Sequence, residues 1–404
     1  MKLFKLKDLI KIKNGKDHKQ LKEGTIPILG SGGLMRYGDK AIYGKESILL
    51  PRKGSLSNIQ FSNVPFWTVD TLYYTEVNTQ LCNPFYLYNY LKILNLESLN
   101  TGTGVPSMTF DSYYNLVIKL PSLAIQNTVS SILWSIEEKI QLNTKINDNL
   151  EQMAKTLYDY WFVQFDFPDA NGKPYKTSGG KMVWNEKLKR EIPNGWKVDS
   201  LSSWINNDKS GDWGKEQEEG NYNQKVYCVR GADINGLNGK GEIKSPKRYI
   251  LEKNLFKTLD PHDLIVEISG GSPVQSTGRL AYITEETLHR FDAPIICSNF
   301  CKAVTLKNKY YFYNFVYQWN SIYDAGVLFG YEGKTSGIKN LLFESFVTSY
   351  YTQFPTSEIA EKFYEFMKPL QIKKEKNLKE NQELASFRDW LLPMLMNGQI
   401  KIQD

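Results

Sequence analysis

The sequence has little of what catalysis by side chains usually needs. Three histidines in 404 residues (His18, His262, His289) stand apart from the four cysteines. Cys297 and Cys301 lack the second closely spaced pair that a tetrahedral zinc site takes, so structural zinc is not expected. No nucleophile elbow or Ser/His/Asp order is present. Gly333-Lys334-Thr335 looks like the end of a phosphate-binding loop, but the glycine required five residues earlier is Leu328. Asp263 and Glu267 close an apolar run without the lysine that a metal nuclease would place next. Four cysteines are too few for a disulfide scaffold, and Lys5, Lys7, Asp8 and Lys11 break up any leader-like apolar core. No run approaches the ~18 apolar residues of a membrane span, and a reducing cytoplasm is the expected compartment. The expectation is a non-catalytic chain with no metal and no cofactor of its own.

Charge is present, and its placement is informative. Residues 1–120 carry 15 Lys/Arg against 9 Asp/Glu, and the segments 121–195, 196–354 and 355–404 are each neutral. The net charge of +6 thus lies wholly in the first segment, where it favours a polyanionic partner.

The chain is written twice. TGTGVPSMTFDS at 101–112 matches KTSGIKNLLFES at 334–345, ILLPRKG at 48–54 lies over LIVEISG at 264–270, and FKLKDL at 4–9 echoes WKVDSL at 196–201. Each half reads as a mixed segment followed by one long helix. The repeat also disposes of a catalytic reading of Asn83-Pro84-Phe85-Tyr86, which looks like a damaged base-clamping motif of amino-methyltransferases. Its counterpart NKYYFYNFV at 308–316 keeps the asparagine and the aromatics but not the proline, so Asn83 reads as a helix cap with Pro84 in the first turn.

The two helices begin after Pro121-Ser122 and Pro355-Thr356, each ~40 residues and about 60 Å long. Their apolar residues recur at threes and fours, and mutual burial as an antiparallel coiled coil is expected. The expected seam is Ile132, Ile136, Asn143, Leu150 and Leu157 against Phe366, Asn377, Leu384 and Leu391, the asparagines fixing register. Pro393 is expected to kink or shorten the second helix. Residues 166–195, rich in glycine and proline, read as a linker rather than a core.

Loops with glycine, hydroxyl and basic residues remain as candidate DNA contacts. In the first half they supply Arg36, Tyr37, Arg52, Lys53, Ser55, Thr101 and Thr103. In the second half they supply Lys247, Arg248, Ser272, Gln275, Ser276, Arg279, Lys334, Thr335 and Ser336. Glycines permit close approach to phosphates, Arg and Lys pair with phosphate or guanine, and Gln can read adenine.

The whole chain resembles the DNA-specificity (S) subunits of type I restriction–modification systems. The resemblance is carried by LPSLAIQNTVSSILWSIEEKIQLNTKINDNLEQMAKTLYDYWF, by REIPNGWKV and by SFRDWLLPMLMNGQIKI. It implies an α+β chain with target-recognition domains at 1–120 and 196–354, helices at 121–165 and 355–404, and a linker at 166–195. Each recognition domain would read half of a bipartite site in double-stranded DNA. The helices would set the spacer and dock two methyltransferase subunits, with Trp134, Tyr158, Trp161, Phe162 and Trp390 as candidate docking residues. Two translocase/nuclease subunits would join for cleavage, and S-adenosylmethionine, ATP and Mg²⁺ would be bound by those partners. A cryptic methyltransferase and a protein-binding coiled-coil scaffold are the rival readings.

Overall fold

A computed structural model of the chain describes residues 1–94, 96–100, 106–270, 274–335 and 338–399. Contacts divide it into two compact units, Met1–Ile140 with Gln382–Asp404, and Gln141–Asn381.

In the first unit the uninterrupted apolar run Ser47–Pro51 forms a strand buried at every residue, the pattern of a strand covered on both faces. It lies inside an antiparallel sheet ordered Ile10–Lys13, Leu72–Val77, Ser47–Pro51, Gln60–Ser62. A second sheet runs Gly33–Gly38, Ile26–Gly30, Trp67–Thr68, its last pair parallel. Lys2–Lys5 pairs with Val117–Leu120, joining the two ends of the mixed segment. The Asn83 side chain accepts bonds from the backbone N–H groups of Phe85 and Tyr86 and caps the helix Pro84–Lys92. It also accepts from the Ser130 hydroxyl at 2.8 Å, tying the cap to the first long helix, Leu123–Tyr158.

The second unit repeats this plan and adds further strands to it. Its four-stranded sheet is ordered Ile205–Ser210, Cys301–Leu306, Asp263–Glu267, Leu280–Tyr282, again with a wholly buried inner strand, Asp263–Glu267. A three-stranded sheet runs Lys247–Leu251, Tyr222–Val229, Ile295–Cys297, its last pair also parallel. Lys197–Ser200 pairs with Tyr351–Phe354 as the first strand pairs with Val117–Leu120. The matched runs ILLPRKG and LIVEISG therefore fall on equivalent central strands. Asn308 caps a short turn, Lys309–Tyr311, that leads into the helix Phe312–Asp324.

The second long helix is Ser357–Met396. Within the second unit the Asn143 amide donates to Glu380 (2.7 Å) and Asn381 (2.9 Å), Asn377 donates to Asn147 (2.8 Å), and Lys374 reaches Glu151 (2.6 Å). Ascending one helix thus descends the other, an antiparallel pairing with both predicted register asparagines buried. In the first unit Arg388 pairs with Glu137 at 3.0 Å.

Several expectations are corrected. Ile132 (39 % exposed) and Phe366 (53 %) lie outside the seam, because the apolar stripe of each helix is wider than the strip its partner covers. The helix continues through Pro393 to Met396, so this proline does not end it. It also passes through Pro369, which the periodicity did not reveal. Residues 166–195 are no linker. Phe167 stacks on Tyr175 (4.7 Å) and Trp196 (5.4 Å), and Phe165 and Ile192 are buried in the same core. Asp166 accepts from the Thr177 N–H and hydroxyl, and Met182–Asn185 pairs with Arg190–Pro193. The aromatic residues outweigh the turn formers.

Arg290 and Glu375 form an ion pair at 2.9 Å with both side chains only 2 % exposed. Arg290→Met should destabilise the protein by about 3–5 kcal/mol, because Glu375 is left charged and alone. The double variant with Glu375→Met should recover most of that loss in chemical denaturation; a double variant no better than the single one would refute the account.

Candidate nucleic-acid interface

Two loops singled out in the first half, around Ser31 and around Lys53, meet in the first unit. The turn between Gly30 and Gly33 is pinned by the Asn58 amide donating to the Ser31 carbonyl (2.6 Å) and the Gln60 amide donating to the Gly30 carbonyl (2.8 Å). The Ser31 N–H donates to the Thr71 hydroxyl. The Arg52 and Lys53 N–H groups donate to the Thr71 carbonyl, and the Gly54 N–H to the Pro106 carbonyl. Lys53 bridges Ser107, which ties the segment starting at Pro106 to the same place. Thr101 and Thr103 lie outside the described residues. Tyr37, Lys53 and Ser55 are exposed, and Arg52 is half-buried with its guanidinium 6.0 Å from the Tyr73 ring. Burial raises the pKa of the Tyr73 hydroxyl and the Arg52 charge draws it back, so the ring stays neutral beside the cation.

In the second unit, Ser269–Gly270, Ile338–Leu341 and Glu332–Thr335 form one small sheet, with the Ser269 hydroxyl donating to Asn340. Lys334 and Thr335 close the last strand, with their side chains outside the described set, as are Ser272 and Ser336. Gln275 is half-buried, and its carbonyl accepts from Lys339. Lys247 is exposed beside Asp292 at 3.7 Å.

The arginines are corrected most heavily. The Arg36 guanidinium donates to the carbonyls of His18 (2.6 Å) and Leu21 (3.1 Å) and so holds its own loop. Arg248 is buried over Trp213 and paired with Glu216. Arg279 is gripped by both Glu267 oxygens at 2.8 and 2.6 Å. Arg230, which the loop search passed over, is held the same way by Asp233. Ser276 is buried. These groups shape the loops and have few donors left for a ligand.

Of the docking candidates, Tyr158, Trp161 and Phe162 are core residues of the second unit, against Phe363 and Tyr317. Trp134 is half-buried between Phe61 and Phe85. Trp390 is 60 % exposed and stacked on Phe387. Loop chemistry missed exposed apolar residues beside the loops: Leu34 and Met35 in the first unit, Trp213 and Phe300 in the second. It also missed an apolar groove of Met153, Leu157, Tyr160, Phe366 and Leu370 on the helix pair of the second unit. Apolar residues at turn positions are the signal that would have found the loop set.

All four cysteines are buried, and burial pushes the Cys82, Cys228 and Cys297 thiols up to about 12, leaving them unreactive. Among the described residues no group of three His, Cys, Asp or Glu is placed to hold a metal, and no helix is long and apolar enough to cross a membrane.

Residues 1–152 match the type I restriction modification DNA specificity domain. The chain is 24% identical over 313 residues to the type I restriction enzyme MjaIX specificity subunit of Methanocaldococcus jannaschii. That match covers 76% of this chain and 66% of the relative, just under two thirds of its length. A 61-residue stretch is 43% identical to the HindI specificity subunit of Haemophilus influenzae, covering 15% of this chain and 13% of that one. The fold is that of the crystallised type I restriction–modification S subunit from M. genitalium, with a TM-score of 0.60 at 15% identity, over 98% of this chain and 95% of that one.

Gly54 has φ +91°, and a Cβ there would sit 3.2 Å from the Ser31 hydroxyl. Gly54→Ala should cost about 1–3 kcal/mol through strain where two loops meet. Thermal denaturation checks this, and an unchanged midpoint would show the loops to be uncoupled.

Proposed function

We infer, from the match of residues 1–152 to the type I restriction modification DNA specificity domain and the likeness to the MjaIX specificity subunit, that this chain is the non-catalytic subunit that selects the DNA target of a type I restriction–modification complex. The observation that carries the reading is the meeting of the loops at Ser31–Gly33 and Arg52–Ser55 within residues 1–120, the segment that holds an excess of basic residues equal to the net charge of the whole chain. Polyanion attraction and close backbone approach meet on one surface. Residues 1–120 would read one half of a bipartite site in double-stranded DNA and residues 196–354 the other, the duplicated plan supplying two readers. The second reader is neutral, so its hold on DNA would lean more on its partners.

Two methyltransferase subunits would dock on the helices. With Asn143 set over Asn377, Phe366 corresponds to Ile132 and Met153 to Phe387. All four are exposed, so each unit offers an equivalent apolar patch to one copy of the same partner. Two translocase/nuclease subunits would complete the cleaving complex. S-adenosylmethionine, ATP and Mg²⁺ would belong to the partners, and the helices would set the spacer between half-sites.

The first test is a base-resolution methylome of cells with and without the gene. One bipartite motif, two short halves around a fixed spacer, should lose methylation; an unchanged methylome with methyltransferase present would overturn the reading. For docking, Phe366→Ser and Phe387→Ser, each made singly, should lower the number of methyltransferase copies per chain from two to one by native mass measurement. Retention of two copies by both variants would reject the assigned patches.

A further inference from the structure

The first unit presents two aliphatic side chains where a DNA-reading surface would be expected to present guanidinium forks. Leu34 and Met35 are each 54 % exposed, beside the turn of the hairpin formed by Ile26–Gly30 and Gly33–Gly38. The register slips between Ile28 and Leu29, so Leu34 faces Leu29 while Arg36 faces Ile28, and Met35 is the extra residue of a β-bulge. A bulge re-aims side chains at a strand end. The tip is held in place: Asn58 and Gln60 grip the Ser31 and Gly30 carbonyls, and Met35 passes close over Gly30. Lys53 and Ser55, both exposed, belong to the loop pinned to the same turn through Thr71.

Fixed, paired aliphatic exposure amid cations and hydroxyls suits a surface that is apolar at its centre and anionic around it. The major groove at thymine has that character, a C5-methyl group between two phosphate backbones, and a two-stranded ribbon fits its width of about 12 Å. Two of the three guanidiniums of this unit are committed within the chain. Arg36 is spent on its own loop, Arg388 on Glu137 and Asp389, and Arg52 lies partly against Tyr73.

Building on the DNA-recognition reading above, we propose that the first unit discriminates its half-site through contact of Leu34 and Met35 with thymine C5-methyl groups. Lys53 contacts phosphate and contributes affinity without sequence preference.

The test uses the full chain assembled with its methyltransferase, on duplexes carrying the motif found by the methylome. Each thymine of either half-site is replaced in turn by deoxyuridine, which removes the methyl group alone. At one or two positions of one half-site the wild type should lose about fourfold in affinity, the change corresponding to one buried methyl group. Leu34→Ala/Met35→Ala should already show the weaker binding and should be insensitive to the same replacement. Lys53→Ala should weaken binding to target and random duplex alike. Tolerance of deoxyuridine throughout both half-sites would overturn the proposal, as would a double variant that stays sensitive to it. Loss of methyltransferase binding in the double variant, with DNA preference intact, would overturn it in favour of a protein-docking tip. A wild type that prefers no sequence would instead defeat the recognition reading itself. Both side chains are surface residues, and an unchanged near-ultraviolet circular dichroism spectrum confirms that each variant is folded.

Discussion

A buried charge must find its opposite, and in the second unit that constraint joins three parts of the chain. Lys374, on the second long helix, is almost fully buried with its ammonium 2.6 Å from Glu151 of the first helix and 3.1 Å from the Tyr282 hydroxyl. Tyr282 donates to Gln371, Gln371 donates to the Tyr317 hydroxyl, and Tyr317 donates to Glu151, closing a ring. Burial draws the lysine pKa down, but the Glu151 carboxylate more than reverses it. Burial likewise pushes Glu151 up, and Lys374 brings it below the ordinary carboxylate range. Both partners remain charged, so none of the three parts can shift without stranding an ion. The sheet and the helix Phe312–Asp324 are thereby seated in one place on the helix pair.

The first unit meets the same need with apolar contacts. Val129, Leu133, Leu391 and Leu395 of the long helices share one core with Tyr86, Leu87 and Leu91 of the capped helix. Hydrophobic contact is non-directional, and here direction comes from the cap: Asn83 binds the helix start and Ser130 together. Two equivalent junctions in a duplicated chain are thus solved by different chemistry, one by closing a polar ring, the other by a cap over an oily face.

What could be read from the sequence was what is local or repeated. The Asn83 and Asn308 caps, the two long helices, the paired central strands and the duplicated plan all announce themselves through spacing within a short window or through self-similarity. The fate of the basic residues did not, because their partners are remote. Arg290 meets Glu375 85 residues on, Arg248 meets Glu216 across 32, and nothing near either arginine signals the pairing. The segment 166–195 failed for the opposite reason. Its local signals are turn formers, and the stacking of Phe167 between Tyr175 and Trp196 that overrides them depends on tertiary contact. The internal partners of the loop arginines were not legible either, since glycine reports where the backbone turns and not what a neighbouring side chain touches.

The internal commitment of the arginines has a consequence for how the loop surface can vary. A guanidinium that braces a loop, as Arg36 does, cannot be altered without loosening the surface it supports, whereas Leu34 and Met35 brace nothing beyond the bulge that aims them. Variation at exposed apolar and hydroxyl positions is therefore cheap in stability, and variation at the arginines is costly. Exchange of whole mixed segments is constrained differently. Tyr282 carried onto the first unit would lose Gln371 and Lys374, whose aligned positions there are Glu137 and Ile140. The same strand order recurs in both units, but the surfaces that meet the helices are not interchangeable, so the two units can diverge at their loop tips only while each keeps its own junction.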